Sequence, residues 1–497
     1  MIVEEGHAMK LIVIALSTLL STVVSAADRP NILVILADDL GWNSVGYHND
    51  DFKTPHIDSI ADDGMRMNRF YVAPMCSPTR AGLMTGRYPI RFGLARAVIP
   101  PYRDYGLPTA ERTLPEILGE IGYQHRGVFG KWHLGHRRAK WHPLAQGFTH
   151  FYGHYNGAID YFDLTREDVR DWHNDYDASS ERGYATDLIA DAAATWIRES
   201  AASESPYFCY VPFNAPHSPY QAPDDAIQRY GSSDGKNNRS RNREIYKAMI
   251  GRMDEGIGKI LRAVDASGES ENTIVWFFSD NGGVGGLRGI NDPLRGAKLT
   301  VFEGGIRVPS CIRWPGKVSA GQSTDAVCGY IDILPTLVSL VGGELADSSG
   351  EPIDGVDLSP VLLGNLKSIG RRPWYSYHGQ SGPAAECLAV IDDEWKLVVN
   401  GPQLKTVEQL QNKAHQVYLF HLSEDLNEST NLAAEYPERV NRLAKQLIDH
   451  RALQPHDAIP PYQAEQAGFI PPPLWSLDPA HPDDLVGHHK VGRRSSR

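Results

Sequence analysis

A cysteine stands where a helix would begin, in Pro74-Met75-Cys76-Ser77-Pro78-Thr79-Arg80. Pro78 suits a first helical turn, and helix starts favour anions, so Arg80 on that turn can reach back to whatever occupies position 76. Alone, such a cysteine is more often a disulfide partner or a buried thiol. Asp38-Asp39-Leu40-Gly41 closes one apolar run and Ser279-Asp280-Asn281-Gly282 closes another. Each is a common turn sequence by itself. Brought to one place, Asp38, Asp39, Asp280 and Asn281 supply three carboxylates and an amide oxygen, the donor set of a hard divalent cation, Ca²⁺ or Mg²⁺. Lys131 and His133 in Gly130-Lys131-Trp132-His133-Leu134-Gly135, His217 after Asn214-Ala215-Pro216, and Lys298 after Gly296-Ala297 read singly as solvated or hydrogen-bonded residues. Converging on one edge, they form a cationic cradle with two proton-transfer groups.

The elements around them make that convergence plausible. Apolar, β-rich runs alternate with helical patterns from residue 31 to about 340, which predicts α/β architecture with a largely parallel sheet buried on both faces. The strands are Asn31–Ala37, Gln124–Gly130, Tyr207–Phe213 and Thr273–Phe278, and each ends in polar residues. Open α/β sheets bind ligands outside the carboxyl ends of their strands. Helices are expected over Leu114–Gly122, with Thr113 and Glu116 as a capping box, and over Thr186–Glu199 and Arg243–Val264. Past residue 365, Leu388–Asp392, Trp395–Val399 and Gln416–Leu422 look antiparallel, with a helix over Glu435–His450. The expected division is a leader at 1–26, a catalytic domain at 27–365, a smaller α+β unit at 366–455, and an irregular Pro-rich, polar tail at 456–497, mobile after Pro482. Ser232–Arg243 reads as an exposed loop.

The chain of 497 residues carries a formal charge of −12, which excludes a nucleic-acid binder, since phosphate affinity needs a basic face. It leaves small anionic substrates open, because a few cations focused in a cleft dominate locally. Met9 and Lys10 followed by Leu11–Leu16, Leu19, Leu20 and Val23-Val24-Ser25-Ala26 read as a secretory signal, too short and polar for an anchor, so the protein is expected to be exported with no stable membrane insertion. An exported protein with five cysteines, Cys76, Cys209, Cys311, Cys328 and Cys387, leaves at least one unpaired.

The string Cys76-Ser77-Pro78-Thr79-Arg80, followed by Leu83-Met84-Thr85-Gly86-Arg87, resembles the signature of the type I sulfatase family. The strings around Asp38, Lys131, His217, Asp280 and Lys298 match the same family over residues 30 to about 310. The resemblance implies an alkaline-phosphatase-like fold and a sulfuric ester hydrolase with one Ca²⁺, Mg²⁺ being the lesser expectation, on Asp38, Asp39, Asp280, Asn281 and the side chain at 76. It also implies that a formylglycine-generating enzyme oxidises Cys76 to formylglycine, which accounts for the odd cysteine. The hydrated aldehyde then supplies the hydroxyl that attacks sulfur, its proton passing towards Asp280. Arg80 and Lys131 fix that group, Lys131 and Lys298 hold the sulfate, His217 protonates the leaving alkoxide, and His133 takes the proton that frees the product. Gly86–Leu94 and Gly157–Phe162 look like the arylsulfatase B, N-acetylgalactosamine-4-sulfatase branch, so a sulfated carbohydrate is the expected substrate. Arg137, Arg138, Lys140, Trp141 and His142 form either a basic, aromatic wall for that sugar or a solvated loop. The rival readings are a phosphonate or phosphodiester hydrolase and, from another class, a carbohydrate-binding protein with an idle site.

Overall fold

A computed structural model describes residues 29–229, 238–345 and 352–486. The expected leader at 1–26 and the chain end after 486 lie outside the described residues.

Ten strands form the main sheet. Five run parallel in its centre, in the order Thr273–Ser279, Asn31–Ala37, Tyr207–Pro212, His125–Lys131 and His150–His154. Antiparallel Ser310–Arg313 flanks them on one side and His173–Asn174 on the other. The sequence dictates why both faces are covered. In NILVILA every residue is apolar except the first, and alternate side chains enter opposite cores. Ile32, Val34 and Leu36 pack with one cluster and Leu33, Ile35 and Ala37 with the other. Helices Ala185–Ser200 and Asn238–Ala266 cover the second face, while Cys76–Thr85 and Ile333–Leu340 belong to the first.

Trp374–His378, Glu386–Asp392, Trp395–Gly401 and Gln416–His421 form a four-stranded antiparallel sheet against helix Pro437–Arg451. Its apolar residues Leu388, Val390 and Leu397 belong to the same core as the Cys76 helix, so this layer is packed onto the large sheet's flank.

The expected strands and helices stand within two residues at most of their ends, except the long helix, which starts at Asn238. Residues 238–243, expected in an exposed loop, are therefore its first turns, and the rest of that loop, 232–237, lies outside the described residues. Trp374–His378 and His150–His154 were not foreseen, because their mixed polar and aromatic residues carry no clear alternation. All five cysteines are unpaired; Cys209, Cys311 and Cys328 are buried in separate strands. No helix among the described residues is long and apolar enough to cross a membrane.

Candidate active site

Strand register assembles the acidic edge. Ala37 lies beside Ser279, so Asp38 and Asp280 emerge as neighbours from adjacent parallel strands. Their backbone continues the pairing, with Asp38 N–H donating to Ala215 and Asp280 N–H to Ala37, both at 3.0 Å. The chain then turns at Asp39, whose φ of 68° lies in the left-handed region that Asp tolerates better than most residues. That turn delivers a second carboxylate to the same place. Asn281 Nδ2 donates to Asp39 Oδ1 at 2.7 Å and Lys298 Nζ donates to it at 2.6 Å.

The helix Cys76–Thr85 starts against this edge and is buried along its whole length. Arg80 stands one turn after Cys76. Its Nε and Nη2 donate to Asp280 Oδ2 at 3.0 and 2.8 Å, and its Nη1 donates to the Lys131 carbonyl at 2.7 Å. Lys131, at the end of its strand, pairs with Asp38 in a fully buried contact. Burial would raise the Asp38 carboxyl, yet Lys131, His217, Arg80 and Lys298 outweigh it and hold the group below the usual carboxylate range. Burial, and then the Asp38 charge, push Asp280 upwards. Burial likewise raises the Cys76 thiol against the pull of Lys131 and Lys298. A thiol held protonated is a poor nucleophile, so the unmodified side chain is ill suited to attack.

Three buried oxygens in this cluster have no hydrogen-bond partner: Asp38 Oδ1, Asp39 Oδ2 and Asn281 Oδ1. Buried acceptors are rarely left unpaired, since each costs about 1–3 kcal/mol. One ligand atom from each of Asp38, Asp39 and His217 falls within 4.8 Å of the others. The donor chemistry fits a hard, oxygen-liganded divalent cation. Charge fits as well. Three carboxylates face Arg80, Lys131 and Lys298, so a divalent cation added among them leaves the cleft positive and ready for an anion.

Two histidines flank the cluster with opposite ring nitrogens committed. His133 stands at φ 58°, its Nε2 facing the Ile99 carbonyl at 3.1 Å while its buried Nδ1 has no partner. A carbonyl only accepts, so Nε2 carries the proton and Nδ1 the lone pair. Burial, reinforced by Lys131 and Arg80, depresses the ring well below its ordinary value and keeps it neutral. In His217 it is Nδ1 that faces a carbonyl, Ser218, at 2.5 Å, and Nε2 lies 3.6 Å from Asp39 Oδ2. Gly157 lies under His133: a Cβ there would come within 2.3 Å of the ring.

Cys76, His133, His217 and Lys298 line one pocket of about 260 Å³. Arg80, Lys131 and the acidic edge form its floor through the contacts above. The candidate metal ligands and catalytic residues singled out in the sequence are thus brought together. The sequence did not foresee Arg166, Gln380 and Tyr462, which also line this pocket and come from a short hairpin, the loop after strand Trp374–His378 and the tail. No local motif marks them. The proposed basic wall, conversely, is pinned elsewhere: Arg138 pairs with Asp104, Lys140 Nζ meets Asp483 Oδ1 at 2.6 Å, and Trp141 and His142 are buried.

Fold and site together define a hydrolase of α/β, alkaline-phosphatase-like architecture, with an edge of candidate metal ligands and a cationic pocket suited to an anionic ester. The sulfatase family model matches residues 30–343, and the model for the C-terminal part of N-sulphoglucosamine sulphohydrolase matches residues 297–453. The chain belongs to the sulfatase family, and it is a sulfuric ester hydrolase. N-acetylgalactosamine-6-sulfatase of Mus musculus is 32% identical over 483 residues, covering 88% of this chain and 89% of that protein. Arylsulfatase J of the same organism is 31% identical over 468 residues, covering 85% and 76%. The crystal structure of Ps i-CgsB in complex with k-i-k-neocarrahexaose superposes with a TM-score of 0.76 at 26% identity, covering 86% of this chain and 94% of that one. These relatives correct one expectation: the chain sides with the 6-sulfatases and arylsulfatase J rather than with arylsulfatase B. The short strings Gly86–Leu94 and Gly157–Phe162 were too local to separate branches of a shared catalytic core.

Proposed function

We propose that this sulfatase removes sulfate from a sugar of a sulfated polysaccharide or glycosaminoglycan, using formylglycine at position 76 and one Ca²⁺ held by Asp38, Asp39, Asp280 and Asn281 with the side chain at 76. The observation that carries the metal reading is the set of unpartnered oxygens on Asp38, Asp39 and Asn281. A bound cation supplies charge neutralisation and Lewis acidity at the reacting oxygens. Formylglycine, when hydrated, supplies the attacking hydroxyl that a buried thiol cannot.

The remaining work falls to the chain. Arg80, clamped between Asp280 and the Lys131 carbonyl, holds the side chain at 76 in place. Lys131 and Lys298, whose carboxylate partners are the proposed metal ligands, bind sulfate oxygens once those carboxylates turn to a cation. His217, once its ring carries a proton on both nitrogens, a charge that burial and Lys298 oppose and Asp39 and Asp38 favour, delivers the Nε2 proton to the leaving alkoxide, since Nδ1–H is committed to the Ser218 carbonyl. His133 accepts a proton at Nδ1, the nitrogen left without a partner, in the step that frees sulfate. The expected maturation partner is a formylglycine-generating enzyme, and the expected destination is outside the cytoplasm. The names of the relatives, an N-acetylgalactosamine-6-sulfatase and a protein crystallised with a neocarrahexaose, support a sulfated carbohydrate over a phosphodiester. Relative rates on p-nitrophenyl sulfate and an aryl phosphodiester test that preference.

The metal assignment is tested by substitution. Asp38→Ala is expected to lose bound metal, measured by elemental mass spectrometry, and to lower turnover at least a thousandfold. Stoichiometric metal in an Asp38→Ala/Asp280→Ala double variant would refute the assignment.

A further inference from the structure

The irregular tail is part of the pocket. Ile459 N–H donates to Gly93 at 2.9 Å, and Tyr462 N–H donates to the carbonyl of Gln380 at 2.9 Å. Arg103 fastens the same stretch, reaching the carbonyls of Pro461 and Ala464 at 2.9 and 2.8 Å and Glu465 at 2.8 Å. Further on, Trp475 is fully buried. Its indole N–H donates to the Arg166 carbonyl at 3.1 Å, and its ring meets His136 edge-on at 5.5 Å. His136 Nε2 in turn donates to the Pro101 carbonyl at 3.1 Å. Arg166 and Pro101 both line the catalytic pocket. One tryptophan from the tail therefore braces two parts of the pocket wall.

Arg166 is placed with effort. It sits in a two-residue hairpin with Val169, and both turn residues, Glu167 and Asp168, have positive φ, 51° and 60°. Such turns ordinarily take Asn-Gly, and holding non-glycine residues there costs on the order of 1–2 kcal/mol each. Among the described residues the guanidinium pairs with the half-exposed Glu167 at 3.2 Å, and its buried Nε has no partner. Gln380, also in the pocket wall, likewise presents a buried Oε1 without a partner. A cation and an amide oxygen, both short of hydrogen bonds, thus share a cavity with the sulfate-binding lysine. At about 260 Å³ the cavity lies below the roughly 300–1,000 Å³ typical of drug-sized ligands, so it takes a single sugar unit with its substituents.

We propose that Arg166, positioned by Trp475 of the C-terminal strap, binds a second anionic group beside the scissile sulfate, while Gln380 accepts from a sugar hydroxyl. The ligand class is a doubly anionic sugar, the second charge being a sulfate on the same ring or the carboxylate of an adjoining uronic acid. This rests on the reading that the substrate is a sulfated sugar.

The test compares kcat/KM for N-acetylgalactosamine 6-sulfate, N-acetylgalactosamine 4,6-disulfate and the glucuronic acid-linked disaccharide of the 6-sulfate, with p-nitrophenyl sulfate alongside. The wild type should prefer one dianionic sugar at least tenfold over the monosulfate, and which one identifies the second anion. Arg166→Met should cut that preference at least tenfold, through KM rather than kcat. Trp475→Phe keeps the ring against His136 but cannot donate to Arg166, and should move the ratio in the same direction by less. Because ratios are taken on one preparation, a loss of folded protein lowers both substrates alike and cancels. A wild-type ratio near one, or a ratio unchanged in Arg166→Met, overturns the assignment while sulfate release from the monosulfate leaves the sugar reading standing. Hydrolysis of p-nitrophenyl sulfate with no release from any sugar sinks both.

Discussion

His217 and His133 divide their labour by which nitrogen each backbone carbonyl occupies. The Ser218 carbonyl leaves His217 Nε2 to meet substrate, and the Ile99 carbonyl leaves His133 Nδ1. A general acid matters most for a poor leaving group, contributing about 10²–10⁴-fold. His217→Ala should therefore lower kcat on a sugar sulfate by about a hundredfold or more, and on p-nitrophenyl sulfate by less than tenfold. Equal losses on the two substrates would reduce His217 to a shape-giving residue. Gly157 tests the partner histidine without touching it. The added methyl of Gly157→Ala must push the His133 ring off its bond to Ile99, and displacements of that order cost roughly a hundredfold in rate. An unaltered kcat in a variant with an unchanged melting temperature would show that the ring's position is not critical.

Among the elements, the second sheet does more than close off the core. Lys396, in strand Trp395–Gly401, is fully buried between Glu303 at 2.8 Å and Glu428 at 2.9 Å, and Glu303 Oε2 accepts from Tyr71 at 2.9 Å. Glu303 opens the short helix Glu303–Ile306, whose backbone touches the loop carrying Lys298, since Gly304 N–H donates to Arg295 at 2.7 Å. The sheet is thereby fastened to the catalytic edge. Lys396→Met leaves the buried Glu428 without a counter-charge and Glu303 with only Arg307, at 3.4 Å, and should destabilise the protein by about 3–5 kcal/mol. The companion variant Lys396→Met/Glu303→Gln/Glu428→Gln should recover part of that loss in chemical denaturation. A single variant as stable as wild type would show that the network is not a brace.

The molecule as a whole is built to resist protonation only down to a point. Burial lowers His142 and His450 to about 3 and His378 to about 4, the nearby Arg91 adding to the effect at His450 and the Asp175 carbonyl opposing it at His142. The unfolded chain takes up these protons below about pH 6.5 while the folded chain does not. Stability therefore falls as pH drops from about 6.5 towards 4, each such histidine adding a slope of up to about 1.4 kcal/mol per pH unit. Asp254, raised to about 7 by burial, acts in the opposite direction over the same range, as do Asp280 and Glu428, which burial also pushes up, but His48, His136 and His154 are lowered by burial like the three above, so these acids face six such histidines. The melting temperature should fall between pH 6.5 and 4.5, and His450→Phe, which keeps an aromatic ring against Tyr375, should flatten the slope. A melting temperature that rises on acidification would contradict this.

The sequence alone determined the core of this protein, because its strands are continuous apolar runs that can only be buried on both faces, and each ends in the polar residues that the sheet edge then gathers. The same holds for the candidate site: Asp38, Cys76, Lys131, His133, His217, Asp280 and Lys298 lie in short, distinctive strings fixed to the ends of those elements. Only the tertiary structure decided the pocket's outer wall. Arg166, Gln380 and Tyr462 lie in a two-residue strand, beyond an unforeseen strand and in a segment without regular structure. Their meeting depends on Trp475 and Arg103 reaching partners more than three hundred residues away, and no local periodicity encodes a contact of that range. The tail read as irregular because it lacks helix and strand patterns, and side-chain hydrogen bonds and one buried indole hold it where regular structure does not.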